Sequence, residues 1–337
     1  MKIVAGMGSI KDYEALVKAG ADEIFCGYVP LSWNETYGNL APLNRREVFF
    51  YHVQIGTIRD MVILKDMIEA LHIPVTVALN ALYYTQEQLP RIAEMMAQLM
   101  EIGFCDFIIA DVGLLLFLSH HAKTYFAGNK QVCRIHISGE LGEWNSNTIK
   151  LLQKKCFTDE HVVCSRLIFH RKNTTADMKS CIQTGKTRVP NLTYEAFVMN
   201  ELCHFTGGFC NSLHCDEMSH ICQLPYKKVP YNKASCENIP YVKELCGEET
   251  EEYIGGTGCG LCALWQLQKV GITHLKVVGR GKSVQGMTQD VQALRQALHI
   301  LAEAPDEQAY LTWMKQELFP NGCSGNCYYV KNKGIVM

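Results

Sequence analysis

Residues 194–210 read YEAFVMNELCHFTGGFC, where a short apolar run gives way to a polar segment that contains cysteine. The run at residues 194–198 has the length and the aromatic and β-branched content of a buried strand. A Gly–Gly pair follows at positions 207 and 208, between Cys203 and Cys210. We therefore expect a strand at residues 194–198, followed by a long insertion in an otherwise regular fold.

Seven other short apolar runs also predict strands, and stretches with helical spacing separate most of them. The eight predicted strands are residues 2–5, 23–26, 74–79, 107–110, 134–138, 167–170, 194–198 and 274–278. Strands that alternate with helices form right-handed βαβ units, and eight parallel strands close a barrel. The sequence therefore predicts an α/β fold of the (β/α)8 TIM-barrel-like type, with a cysteine-rich insertion between strands 7 and 8.

The regular alternation also predicts the domain limits. We assign residues 1–305 to the barrel domain, including the cysteine-rich insertion at residues 201–262, and residues 306–337 to a C-terminal extension. A stretch rich in Pro, Asn and Gly at residues 28–44 is predicted to be a loop.

Composition limits the classes of partner. The chain has 337 residues and a formal net charge of −2, so no strong positive field attracts nucleic acid. RNA is therefore a weaker candidate substrate than a small molecule or a peptide. The N-terminus lacks the apolar core of a signal peptide, and no apolar run of about 18 residues is present, which predicts a cytoplasmic protein without a membrane span. A homodimer and a heterodimer are both compatible with the sequence.

Sixteen cysteines are many for a chain of this kind and indicate metal or redox use. Isolated cysteines within apolar elements usually behave as small buried hydrophobic residues. We expect this of Cys26, Cys105, Cys133, Cys156, Cys164 and Cys181.

The cysteines of the insertion are candidates for an inorganic centre. Cys203, Cys210, Cys222 and Cys262 are widely spaced, and four thiolates from several loops suit a [4Fe–4S] cluster. A structural zinc site more often uses two Cys-x-x-Cys knuckles, of which residues 259–262 form one. Zinc therefore remains the alternative, disulfides or unrelated thiols are a third reading, and Cys215 or Cys259 could replace a chosen ligand.

Two stretches resemble the signatures of peptidase family U-32, the collagenase-like peptidases. Residues 194–210 are similar to the central signature, an apolar strand with a glutamate followed by two cysteines six residues apart. Residues 262–283, CALWQLQKVGITHLKVVGRGKS, resemble the later one. The resemblance implies a [4Fe–4S] cluster on Cys203, Cys210, Cys222 and Cys262. It also implies oxygen-independent hydroxylation, or related redox chemistry, on a small molecule, an RNA base or a peptide.

The family name implies a protease as the alternative, and a non-catalytic, cluster-bearing subunit of a hydroxylase complex is a third hypothesis. The sequence contains no H-E-x-x-H motif, and no Cys–His pair stands out. Three segments depart from the family pattern, at residues 34–36, 138–140 and 171–172. A substrate different from those of the characterised relatives is therefore expected.

Polar residues near the carboxyl ends of the predicted strands are candidates for the active site, because barrel enzymes carry their chemistry there. The candidate catalytic residues are Asn80, Asp111, His136 and Arg171. The alternatives are a loop or helix cap and, for His136, a packed barrel residue. The candidate substrate-binding residues are Asn39, Lys276 and Arg280, and the two cations could hold a carboxylate or a phosphate.

Overall fold

A closed barrel of eight parallel strands in chain order forms the centre of the protein. The computed structural model describes residues 1–38, 42–44, 54–142, 145–189, 191–200, 202, 254–280 and 282–329. The strands are β1 Lys2–Met7, β2 Glu23–Gly27, β3 Val75–Leu79, β4 Asp106–Ile109, β5 Cys133–Ile137, β6 Val162–Ile168, β7 Thr193–Met199 and β8 His274–Val277. Strand β1 pairs with both β2 and β8, so the barrel closes and the predicted fold class is confirmed.

Helices surround the barrel and cover the outward side chains of its strands. They are α1 Tyr13–Ala19, α2 Leu31–Tyr37, α3 Ile58–Leu71, α4 Gln88–Ile102, α5 Val112–Phe126, α6 Ser146–Cys156, α7 Thr175–Arg188, α8 Leu264–Val270, α9 Val284–Glu303 and α10 Glu307–Leu318. Capping side chains mark the first turn of several helices. The Thr174 hydroxyl, for example, accepts from the Asp177 backbone N–H in a capping box at the start of α7.

Two elements differ from the sequence prediction. Helix α2 lies within the stretch predicted as a loop, because seven residues are too few to show helical periodicity. Strand β6 begins at Val162, five residues before its predicted start. Its first half alternates between buried and more exposed residues and includes Ser165 and Arg166, so no continuous apolar run marks it.

The interior of the barrel has an apolar layer near the carboxyl ends of the strands and a charged layer beneath it. The apolar layer consists of Val4, Phe25, Ala78, Ile108, Ile168, Phe197 and Val278. The charged layer consists of Glu23, Arg166, Glu195, His274 and Lys276, which are all buried. Side chains alternate along each strand, so two residues that are two positions apart both face the interior. Glu195 and Phe197 on β7, for example, belong to the charged layer and to the apolar layer.

The chain after the barrel returns to the carboxyl ends of the strands, here called the barrel mouth. Helix α10 contacts α9, and the Tyr310 hydroxyl donates to Leu261 O at 2.6 Å. Residues 326–328 then pair with Cys259. Between β7 and β8 the structure describes residues 200, 202 and 254–273, so most of the predicted insertion lies outside the described residues. Within the described parts, no helix combines the length and the apolar character needed to cross a bilayer.

Candidate functional site at the barrel mouth

An arginine and a glutamate from neighbouring strand ends meet at the mouth. Arg171 follows β6 and Glu140 follows β5, and their side chains form a largely buried ion pair. The guanidinium carbon of Arg171 lies 4.1 Å from the centroid of the Phe197 ring, at the end of β7. The mouth therefore presents a cation that is fixed between a carboxylate and an aromatic face.

Arg280 brings a second cation to the mouth, beside the ends of β1 and β2. It follows β8, is buried, and donates from Nη1 to Gln54 Oε1 at 3.3 Å. An ideal Cβ at Gly27 would lie 2.4 Å from Arg280 Nη1 and 1.6 Å from Gln54 Oε1. Glycine at the end of β2 therefore makes room for both side chains.

Two tyrosines of the C-terminal segment cover part of the mouth. The Tyr328 ring stacks on Phe197 with centroids 6.4 Å apart, and its hydroxyl donates to Asn200 O. The Tyr329 hydroxyl donates to Phe197 O at 2.8 Å. Neither tyrosine was predicted from the sequence to belong to the site. Their only local signal is an aromatic pair directly after the polar residues 320–327.

The charged layer lies deeper in the barrel, beneath the apolar layer. Glu195 accepts from Lys276 Nζ at 2.7 Å and from Arg166 Nη1 at 2.9 Å. Arg166 Nη2 lies 2.7 Å from Glu23 Oε2. Burial alone would raise the pKa of Glu195, but Lys276 and Arg166 outweigh it and lower that pKa to about 2. The predicted substrate-binding residue Lys276 therefore lies in the barrel interior, where Glu195 holds its cation.

The predicted catalytic residues have different partners in the structure. Asp111 caps helix α5 by accepting from the Gly113 backbone N–H, and it also accepts from the Tyr84 N–H at 2.6 Å. Burial raises the pKa of this carboxyl. His136 lies inside the barrel with Nε2 at 3.5 Å from Asp106 Oδ1, and burial lowers its pKa. Of the four, Arg171 is the one with an aromatic and an ionic contact at the mouth.

The two predicted asparagines are Asn80 and Asn39. Asn80 follows β3 directly and is partly buried. Asn39 lies outside the described residues.

The cysteines fall into three groups. The six that were predicted to be buried are buried, which confirms that expectation. Six lie outside the described residues, namely Cys203, Cys210, Cys215, Cys222, Cys236 and Cys246. Cys259, Cys262 and Cys327 are partly buried near the mouth, and Cys323 is exposed. Burial raises the pKa of the Cys259 thiol to about 12.

A backbone hydrogen bond joins two described parts of the insertion between β7 and β8. Leu202 N–H donates to Thr257 O at 2.9 Å, and Leu202 packs against the apolar layer of the barrel. Residue 202 and residues 254–262 therefore lie at the same edge of the mouth. Across the described ranges, no three His, Cys, Asp or Glu side chains are arranged to hold a metal ion.

Glu195→Gln should make the stability of the protein less sensitive to acid. The folded-state pKa of Glu195, about 2, lies below its ordinary value of 4.5. Its carboxylate therefore stabilises the fold above pH 4.5, and this contribution is lost as the pH falls through 2. We expect the wild type to lose roughly 3 kcal/mol more than the variant across this window, measured by urea unfolding at several pH values.

Glu14→Gln is the matched control, since Glu14 forms an exposed pair with Lys18 on α1. Its unfolding profile should follow that of the wild type. Equal acid sensitivity of Glu195→Gln and the wild type would show that the buried pair does not set the acid response.

Comparison with solved structures returns matches at low sequence identity. The U32 peptidase Mk0906 has a TM-score of 0.40 and 9% identity, with 59% of this chain and 69% of that chain covered. A putative dihydrodipicolinate synthetase from Pseudomonas aeruginosa has a TM-score of 0.46 and 8% identity, with 94% of this chain and 81% of that chain covered. No curated protein matches the chain. The sequence model of Peptidase family U32 matches residues 8–335, and the chain therefore belongs to this family.

Proposed function

We propose that the protein is an iron–sulfur enzyme whose barrel mouth binds an anionic substrate next to a [4Fe–4S] cluster. Cys203, Cys210, Cys222 and Cys262 would hold the cluster. The hydrogen bond from Leu202 to Thr257 carries the proposal, because it brings the residue before Cys203 close to the segment that leads to Cys262. Leu202 and Thr257, on either side of residues 203–253, thus both lie at the edge of the mouth.

Of the four proposed ligands, Cys262 is the one that the structure describes. Cys262 is partly buried in a 3-10 turn, Leu261–Ala263, that packs against the barrel core. Cysteine thiolates are the usual ligands of cubane clusters, and the described part of the chain does not gather a complete set. The other three ligands would therefore come from residues 203–253, where the candidate cysteines lie. A bound cluster would supply one-electron transfer; zinc on the same thiolates is the alternative.

Two guanidinium groups at the mouth favour a substrate with a carboxylate or phosphate group. One guanidinium can serve two carboxylates, as Arg166 does with Glu23 and Glu195 in the layer below. Arg171 could in the same way hold Glu140 and a substrate anion. Phe197 and Tyr328 add aromatic surface beside Arg171 and help to exclude water from the bound substrate.

Purification without oxygen tests this function. We expect a brown protein with about four irons and four sulfides per chain, and redox or hydroxylation activity on a small molecule, an RNA base or a peptide. A colourless protein that carries zinc would overturn the cluster. Hydrolysis of casein or gelatin that survives Cys203→Ala would favour the peptidase reading of the family name. Activity that appears only with a second protein would favour a cluster-bearing subunit.

A further inference from the structure

Cys259 and Cys327 lie directly opposite each other in a short parallel pairing. Cys259 N–H donates to Asn326 O at 2.8 Å, and Tyr328 N–H donates to Cys259 O at 2.9 Å. These two bonds make residues 259 and 327 partners in a parallel bridge. Partners of this kind project their side chains from the same face of the sheet.

The spacing of such a pair suits a covalent link. Neighbouring strands lie roughly 4.8 Å apart, and the Cα atoms of disulfide-bonded cysteines lie roughly 4.4–6.8 Å apart. Both cysteines are also partly exposed, so a small reagent can reach them. The backbone spacing of the pair therefore falls within the range found for disulfides.

The neighbouring elements hold this pairing in place. Cys259 also bridges Met199 at the end of β7, where Gly260 N–H donates to Val198 O. On the other side, Tyr328 and Tyr329 attach the C-terminal segment to Asn200 and Phe197. A bond between the two cysteines would thus join the segment that covers the mouth to the rim of the barrel.

We propose that Cys259 and Cys327 form a reversible disulfide that fastens the C-terminal segment over the barrel mouth. The oxidant would be a low-molecular-weight disulfide such as oxidised glutathione. The Cys327 thiolate attacks its S–S bond and releases one thiolate. The Cys259 thiolate then attacks the Cys327 sulfur and releases the second, and the two protons lost by the cysteines pass to the released thiolates.

Cross-linking of the full-length protein tests the proposal. The oxygen-free purified chain is treated with increasing oxidised glutathione, alkylated, digested and analysed by mass spectrometry. We expect a peptide that joins Cys259 to Cys327 in the wild type and in Cys323→Ser, and its absence in Cys327→Ser. Oxidation should raise the Tm by roughly 5 °C in the first two proteins, reversibly with a reductant.

The iron content of each variant separates this bond from the proposed cluster, since Cys327→Ser should keep the iron of the wild type. Linkage of Cys259 to Cys323 instead would overturn the proposal. So would full glutathionylation of the exposed Cys323 without any linked peptide.

Discussion

Arg166→Met should lower the free energy of unfolding by about 3–5 kcal/mol, because it removes a buried cation and leaves its carboxylate partners in place. The Arg166 side chain is 6% exposed, and its guanidinium lies between Glu23 and Glu195 at 2.7 and 2.9 Å. Without it, the two buried carboxylates lose their shared cation. Lys276 and His274 then remain beside them as partners. Urea unfolding at pH 7 measures the change.

Arg134→Met is the matched control, because Arg134 also stands on a barrel strand and pairs with a carboxylate. Its side chain is 39% exposed where it binds Asp106, so water can replace part of the interaction. We expect a loss of about 1 kcal/mol for this variant. If the two substitutions cost the same, burial does not determine the strength of the Arg166 network.

The barrel could be predicted because most strands carry their own local signal. An apolar run identifies a buried strand wherever it stands, and eight runs alternating with helices permit few arrangements. The prediction was wrong where that signal is absent. Strand β6 begins with alternating residues that include Arg166, whose burial depends on carboxylates from β2 and β7. A local pattern cannot report such distant partners.

The site is harder to predict than the fold, because its contacts join residues that are far apart in sequence. Arg171 was selected by its place after a strand, but its partner Glu140 lies 31 residues away. Tyr329 reaches Phe197 across 132 residues. The sequence pattern placed the carboxyl ends of the strands within two residues of those in the structure. The pairing of their side chains and the cover over the mouth emerge only when the barrel closes.

Cys262→Ala should remove the proposed cluster, so that iron falls from about four atoms per chain to less than about one. Cys262 stands in a short turn before α8, on the segment that returns to the mouth beside Leu202. A cubane that loses one of four thiolates is expected to be lost during purification. Iron and sulfide analysis, together with the visible absorption spectrum of the oxygen-free protein, measures the effect.

Cys259→Ala is the closest control, three residues away in the same Cys-x-x-Cys segment. The bridges of Cys259 to Met199 and Cys327 place it within a small sheet, opposite a different thiol. This variant should therefore keep its iron and lose only the proposed disulfide. If Cys259→Ala loses iron and Cys262→Ala does not, then Cys259 is the ligand. In that case the C-terminal segment lies beside the cluster, because the backbone of Cys327 pairs with that of the ligand Cys259.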